Sequence, residues 1–243
     1  MTESLHDRIS TPEGKRGYVR SLFATIADRY DLITIVLSYG QDSRWKKRLV
    51  DRAAIARGQR VLDLATGTGD IGFVAASRGA RVVGLDITFR MIQLAREKAA
   101  ALPAPPAVPA FLVGDMLALP FASSSFDVVT TGYGLRNVPD LGGAIAEIRR
   151  VLRPGGQLLS LDFNRPPNPI VRSVYLAYLT IVGGALGWAL HRDPDTYRYI
   201  PASIRQYPGA DGVARLLECE GFDRVAVRPV LGGLMTIHHA IRS

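Results

Sequence analysis

Arg60-Val61-Leu62-Asp63-Leu64-Ala65-Thr66-Gly67-Thr68-Gly69-Asp70 decides how the rest of the chain is read. A short apolar run reaches Leu64, glycines follow at once, and a helical stretch begins behind them. Glycine lets the backbone approach a ligand closely, and a helix N-terminus presents unpaired N–H groups. Gly67, Gly69 and Gly72 satisfy the G-x-G-x-x-G spacing of dinucleotide-binding folds. The same spacing would also serve a tight strand-to-helix turn with no ligand.

Outward from that turn, short apolar runs alternate with helical ones. Arg81–Asp86, Phe111–Val113, Phe126–Thr130 and Gln157–Asp162 read as further strands, with helices over Thr88–Leu102 and Leu141–Leu152 between them. This alternation predicts an α/β fold with a parallel, doubly wound sheet. Pro103, Pro105, Pro106 and Pro109 read as a linker, and Arg165–Pro169 closes the central unit. Asp211–Glu220 then reads as a helix, and Val225–Val230 and Leu234–Ile241 as two closing strands joined around Gly232-Gly233. The first fifty-odd residues read as helical. Phe23, Ile26, Ala27, Tyr30 and Ile33 keep a 3.6-residue rhythm, so Phe23–Ile33 reads as one helix.

The chain has 243 residues, a net charge of +8 and one cysteine, Cys219. That length buries a sizeable core without staples. A single cysteine excludes an internal disulfide and a cysteine zinc site, and no metal is implied. The N-terminal residues lack the apolar core of a signal peptide, so the expected location is cytoplasmic. The basic balance calls for an anionic partner: nucleic acid, a membrane surface or an acidic ligand. No interleaving of aromatic and basic residues argues for nucleic acid. Arg44, Lys46, Lys47, Arg48, Arg52, Arg57 and Arg60 concentrate the charge. They read as a solvated helix face, or as a surface near anionic headgroups.

Asp86 ends the second strand, 17 residues after Gly69, where a carboxylate can accept hydrogen bonds from both ribose hydroxyls. That suits NAD or S-adenosylmethionine. Three features favour the methyl donor. Asp63 lies close enough to the turn to orient it or to meet a cationic amino group, and it would repel a pyrophosphate. Asp115 suits the exocyclic amine of adenine, and Met116 suits the face of its ring. Arg150-Val151-Leu152-Arg153-Pro154-Gly155-Gly156 reads as a helix end with a glycine stop before the fifth strand.

Together these segments resemble the class I S-adenosylmethionine-dependent methyltransferases. Within that class, Tyr30-Asp31, Leu37-Ser38-Tyr39-Gly40, Trp45-Lys46, Gly134-Leu135-Arg136-Asn137-Val138, Asp195–Ile200 with Ser203-Ile204, Gly221-Phe222 and His238 resemble the quinone C-methyltransferases (UbiE/MenG type). The likeness runs over roughly residues 22–242. It departs at Thr34, where the family usually has Asn, at Ile87-Thr88, and at Leu161-Asp162-Phe163-Asn164, where many members end the strand in Leu-Glu-Phe-Ser.

The resemblance implies a Rossmann-like methyltransferase domain over 1–243: a seven-stranded, mostly parallel sheet, N-terminal helices (1–58), a cofactor-binding core (59–165), an apolar helical lid (166–210) inserted before the last two strands, and a closing helix and strands (211–243). It implies that Tyr30, Asp63, Ala65, Gly67, Thr68, Gly69, Asp86, Ile87, Asp115, Met116 and Gly132 hold S-adenosylmethionine. It implies a polyprenylated quinol as substrate, demethylmenaquinol first, and is compatible with peripheral membrane association at the inner face and with a homodimer. The competing enzyme reading is a methyltransferase for another small or lipid acceptor. Glycine spacing alone leaves an NAD-linked oxidoreductase open, and the basic balance a nucleotide- or nucleic-acid-binding module.

Ring carbon is a poor nucleophile until a neighbouring hydroxyl loses its proton, and a phenol's pKa is about 10. Arg136 suits stabilisation of that phenolate, and Asn137 can orient the same oxygen or a water. His238, with an ordinary pKa of about 6.5, is a candidate base. Ser173–Leu190 carries no charge over 18 residues, near the lower limit for a membrane-spanning helix of about 17–25. A span there would put two halves of one sheet on opposite sides of a membrane. A lid over a polyprenyl tail fits better, and a plain core helix is the simpler alternative.

Overall fold

The computed structural model describes residues 5–102, 108–193 and 196–243. Pro103, Pro105 and Pro106 of the expected linker and Asp195 of the family-like segment lie outside the described residues.

Among the described residues, four helices precede the sheet: α1 (Leu5–Arg8), α2 (Pro12–Ile26), α3 (Tyr30–Leu37) and α4 (Asp42–Arg52). The alternating part follows as β1 (Arg60–Leu64), α5 (Asp70–Ser77), β2 (Arg81–Asp86), α6 (Phe89–Ala101), β3 (Ala110–Val113), β4 (Phe126–Gly132), α7 (Leu141–Val151) and β5 (Leu152–Phe163). Then come α8 (Pro169–His191), α9 (Tyr199–Gln206), α10 (Gly209–Cys219), β6 (Phe222–Val230) and β7 (Met235–Arg242). The strands form one sheet in the order β3-β2-β1-β4-β5-β7-β6. β7 runs antiparallel to both of its neighbours, and every other pairing is parallel. The expected mostly parallel, doubly wound sheet of seven strands is what the chain forms.

The strand order reverses between β1 and β4. In open α/β sheets that reversal opens a crevice beyond the carboxyl ends of the two strands. One face of the sheet packs Leu62, Leu64, Val129 and Leu158 against Ile145 and Ile148 of α7 and Val213 and Leu217 of α10. The other packs Val61, Val128, Leu159 and Leu161 against Leu49 of α4 and Ile71 and Ala75 of α5.

The predicted single helix over Phe23–Ile33 is broken. Ala27–Arg29 forms one 3₁₀ turn, and α3 restarts at Tyr30. The apolar rhythm survives because Ile26 and Ile33 still share a core with Tyr197, while Phe23 and Tyr30 meet edge to face at 6.0 Å. Periodicity reports which face is buried, not whether the axis is continuous. The Arg153–Gly156 segment also differs from the expected stop. Strand β5 starts immediately after α7, and the extra residues bulge out: Phe126 pairs with Leu152, but Val128 pairs with Gln157. Gly155, at φ +73, permits this.

Helix α8 covers the apolar stretch. Asn168 caps it by accepting from the backbone N–H groups of Ile170 and Val171, and Pro169 opens it. Tyr175, Leu176, Leu179, Gly183 and Gly187 face inward. It is long and apolar enough to cross a membrane. Yet β5 before it and β7 after it are paired neighbours in one sheet, which excludes the transmembrane reading.

Candidate functional site

Two cavities lie beyond the β1/β4 reversal. The first, about 710 Å³, is lined by the glycine turn (Ala65, Gly67), the end of β2 (Asp86, Ile87), the residues after β3 (Asp115, Met116), the end of β4 (Gly132) and α2 from above. Close backbone approach is enforced here. A Cβ on Gly134 would stand 2.4 Å from Thr131 Oγ1 and 2.8 Å from the Ala65 Cβ. Gly69 caps α5 at φ +92, and a Cβ there would meet the rings of Phe111 and Phe73 at 2.8 and 2.9 Å.

Asp86 is fixed at the far end. One carboxylate oxygen accepts from Gly67 N at 2.9 Å, the other from Thr88 N at 2.8 Å. Burial raises its pKa, and those two N–H groups work against the rise. Each oxygen keeps a lone pair, so the carboxylate can still accept hydroxyls from a sugar in the cavity. Leu85, Ile87 and Met116 line the cavity with apolar surface for a flat ring. The set therefore fits an adenosine-type ligand.

Tyr30, Ala65, Gly67, Asp86, Ile87, Asp115, Met116, Gly132 and Asn137 all line this cavity. Asp63, Thr68 and Gly69 do not. Asp63 is fully buried beneath the turn, and its two oxygens accept the hydroxyls of Thr66 at 2.6 Å and Thr130 at 2.8 Å. Of its two expected roles, the geometry favours bracing the turn over meeting an amino group. Burial pushes its carboxyl up to about 6. The Thr68 hydroxyl donates to Asp31 and accepts from Lys98, which ties the turn to α3 and α6. Gly69 acts through the helix cap.

The second cavity, about 630 Å³, is lined by Leu22, Ile26, Ile33, Leu37, Trp45 and Tyr197 among other apolar groups, with Arg136 as its cation. Phe23, Tyr30 and Tyr133 line both cavities and form the partition between them. The Tyr133 backbone is left-handed, at φ +61, a strained conformation for a bulky residue. Its hydroxyl donates to Asp42 at 2.7 Å, and Asp42 pairs with Lys46 at 2.6 Å. Burial opposes the charge on Lys46, but Asp70 and Asp42 outweigh it and raise its pKa. Lys46 therefore leaves the expected basic surface: it is buried with two carboxylates and stabilises the partition.

Arg136 sits on the 3₁₀ turn Leu135–Asn137 after β4 and is 6% exposed. Its Nε lies 3.1 Å from Asp162, and Nη1 donates to Ser203 at 2.8 Å and to Asn137 Oδ1 at 3.1 Å. Its guanidinium stands 4.8 Å over the Phe163 ring. Burial raises the pKa of Asp162, and Arg136 pulls it back. The sequence assigns Asp162 and Ser203 no role in the site, although Ser203 belongs to the family-like segment. The first was noted only as a departure from the family pattern, although an acidic residue at the carboxyl end of a strand beside the reversal was itself a signal.

His238 is placed differently from expectation. It is fully buried on β7, lines neither cavity, and donates from Nε2 to the Ala210 carbonyl at 2.9 Å. Burial lowers its pKa, and Nδ1 has no hydrogen-bond partner among the described residues. A base must reach the proton it removes, so this position is structural. A residue type in a strand does not reveal that the cavities lie at the end of the sheet rather than over this face.

Residues 11–242 match the ubiE/COQ5 methyltransferase family. The chain belongs to that family. Among its relatives in this methyltransferase family, the ubiquinone/menaquinone biosynthesis C-methyltransferase UbiE of Dinoroseobacter shibae is 40% identical over 93% of this chain and 91% of that protein. The demethylmenaquinone methyltransferase of Renibacterium salmoninarum is 37% identical over 92% of each. Solved structures share the fold. A magnesium protoporphyrin IX methyltransferase from Synechocystis, with bound SAH, aligns at TM-score 0.65 and 19% identity over 94% of this chain and the whole of that one. A possible histamine N-methyltransferase from Thermotoga maritima aligns at 0.65 and 16% identity over 93% of this chain and the whole of that one.

Proposed function

We propose that this methyltransferase transfers the methyl group of S-adenosylmethionine to a ring carbon of a polyprenylated quinol, converting demethylmenaquinol to menaquinol. The observation that carries the reading is the pair of cavities sharing one aromatic partition, with a single guanidinium on the apolar side. The names of the relatives agree with it.

When bound, the donor supplies an electrophilic methyl on a sulfonium. The chain's residues do the rest. Asp86 and Asp115 take the polar edges of the adenosine, and Ile87 and Met116 its ring faces. Phe23, Tyr30 and Tyr133 narrow the passage so that donor and acceptor meet in one orientation. Partners engage Nε and Nη1 of Arg136 and leave Nη2 as the donor for a phenolic oxygen in the second cavity. A neighbouring cation lowers an acid's pKa by about 1–3. That brings a phenol of pKa about 10 within reach of ionisation near neutral pH. The phenolic proton can then leave to water; as the methyl–sulfur bond breaks and the methyl joins the ring carbon, that carbon's own hydrogen is lost to water as a proton and the oxygen regains one, which restores the aromatic quinol with no dedicated base. Asn137, held by its own bond to the Tyr133 carbonyl, keeps the Arg136 turn in register with the partition.

Docking at a membrane surface is part of the same proposal, and two bare apolar faces support it. Ile33, Thr34 and Leu37 of α3 line the second cavity, while Leu32, Ile35 and Val36 on its other side are bare. On α8, Ile170, Val174, Ile181 and Trp188 are exposed opposite the packed face. Tyr39 beside α3 stacks on Tyr178 of α8 at 6.0 Å, which joins the two surfaces. A tail of isoprenoid units gains about 0.8 kcal/mol per buried methylene, so it holds the substrate in a bilayer. The apolar face would rest on the inner leaflet, with the exposed Arg44, Lys47 and Arg48 near its headgroups.

The test is labelled S-adenosylmethionine with short-tailed demethylnaphthoquinol and methoxybenzoquinol, followed by mass analysis of the product. Ring methylation of the naphthoquinol is expected, and no carbon-methylated product from either would overturn the reading. Calorimetric titration with S-adenosylhomocysteine and with NAD separates the donor from the dinucleotide alternative.

A further inference from the structure

Helix α2 roofs the first cavity through Arg16, Val19 and Phe23. Thr11 caps its N-terminus by accepting from Gly14 N at 3.1 Å. Two adjacent cations on it make separate contacts around that cavity. Lys15 Nζ donates to the carbonyl of Val138 at 2.8 Å and to that of Arg136 at 3.2 Å. Arg16 Nη2 pairs with Asp115 at 2.5 Å, and the other oxygen of Asp115 accepts from Leu117 N at 2.9 Å.

The Lys15 contacts fall on the turn that carries Arg136 and Asn137. A 3₁₀ turn of three residues has little internal hydrogen bonding of its own. Its carbonyl end carries partial negative charge, and an ammonium with three donors can hold two carbonyls at once. Burial and the Arg136 charge both lower the Lys15 pKa, so keeping a cation there works against the local field. The compensation is the pair of carbonyl bonds.

We infer that Lys15 is a positioning residue for methyl transfer: it locks the Arg136–Asn137 turn to the roof helix, so that closing the roof over the donor sets the guanidinium against the acceptor. The neighbouring Arg16 serves the roof only, through Asp115. This inference rests on the proposed role of Arg136 in the quinol site. A displacement of about 1 Å at a reacting group can cost about 100-fold in rate, so a clip on the turn acts on turnover more than on binding.

The test compares Lys15→Met, Lys15→Arg and Arg16→Met with the unaltered chain. Three readouts are taken: affinity for S-adenosylhomocysteine by calorimetry, kcat and KM with a short-tailed quinol, and hydrogen–deuterium exchange over residues 134–139. Lys15→Met is expected to lower kcat by about 10-fold or more, to leave S-adenosylhomocysteine affinity within about threefold, and to speed exchange in that segment. Lys15→Arg should restore most of the kcat. Arg16→Met should weaken S-adenosylhomocysteine binding by about threefold to tenfold and leave exchange over residues 134–139 unaltered. Unaltered exchange at 134–139 in Lys15→Met, or equal losses of affinity and kcat in both Met variants, would overturn the inference. If the unaltered chain methylates no quinol, the proposed function fails first, and the exchange result still decides whether Lys15 holds the turn.

Discussion

Replacing Arg136 with Met removes the cation from the second cavity while keeping much of its length. Two effects follow from the geometry, and they separate by pH. The first is on chemistry. If Arg136 lowers the phenolic pKa by about 1, the lower end of the usual 1–3 because Asp162 shares the guanidinium, then below that pKa its loss cuts the phenolate fraction about 10-fold. The rise of kcat with pH should therefore move up by about 1 and converge with the unaltered enzyme in alkali. The second is on stability. Asp162 is fully buried and its pKa is already raised by burial. Breaking a buried pair by removing one partner costs about 3–5 kcal/mol. Without Arg136 the carboxyl's native pKa rises further, so the native state binds more protons than the unfolded chain above pH 4. Stability then falls as pH rises, and the deficit of Arg136→Met should shrink from pH 7 toward pH 5. Arg136→Met with Asp162→Asn should recover part of the stability at pH 7, but none of the kcat. The assays are labelled methyl transfer to a short-tailed demethylnaphthoquinol from pH 6 to 10, and urea unfolding at pH 5 and 7. An unmoved kcat profile would refute the phenolate argument. A stability loss under about 1 kcal/mol, flat with pH, would refute the reading of the buried pair.

His238→Gln should keep kcat within about threefold, because the ring reaches neither cavity; a loss of about 100-fold would restore it as a base. Asp63 has a native pKa of about 6 against about 3.8 unfolded, so between those values the native state holds more protons and stability falls with rising pH, by about 3 kcal/mol in all. Asp63→Asn should abolish that slope in urea titrations at pH 4 to 6, and an unchanged slope would refute the assignment. Paired Ile35→Asp and Ile181→Asp changes should abolish flotation with phosphatidylglycerol vesicles in low salt while sparing turnover of a short-tailed quinol; retained flotation would refute the docking face.

Much of the site was legible because its residues sit at positions that sequence order alone specifies. The run from Leu64 to Gly69, Asp86 at the end of β2 and Asp115 after β3 are all strand-end positions, and strands that alternate with helices must present those ends together. The contacts that cross the fold were hidden. Asp162 and Ser203 lie 26 and 67 residues from Arg136 and only the packing of α9 against the turn brings Ser203 to it. The inward turn of Lys46 was likewise invisible, since a basic run reads as surface until two carboxylates are folded over one member.

The sequence by itself determined the sheet, its order of chemistry and the family, because apolar periodicity and glycine placement act locally. Tertiary structure alone decided which of the candidate residues face a cavity. It turned Asp63 and His238 into buried supports, set Phe23, Tyr30 and Tyr133 between two cavities, and clipped the Arg136 turn with Lys15 from 121 residues away. Those outcomes depend on where helices α2, α3 and α8 dock, and docking is set by the complementarity of whole faces rather than by any local run of residues.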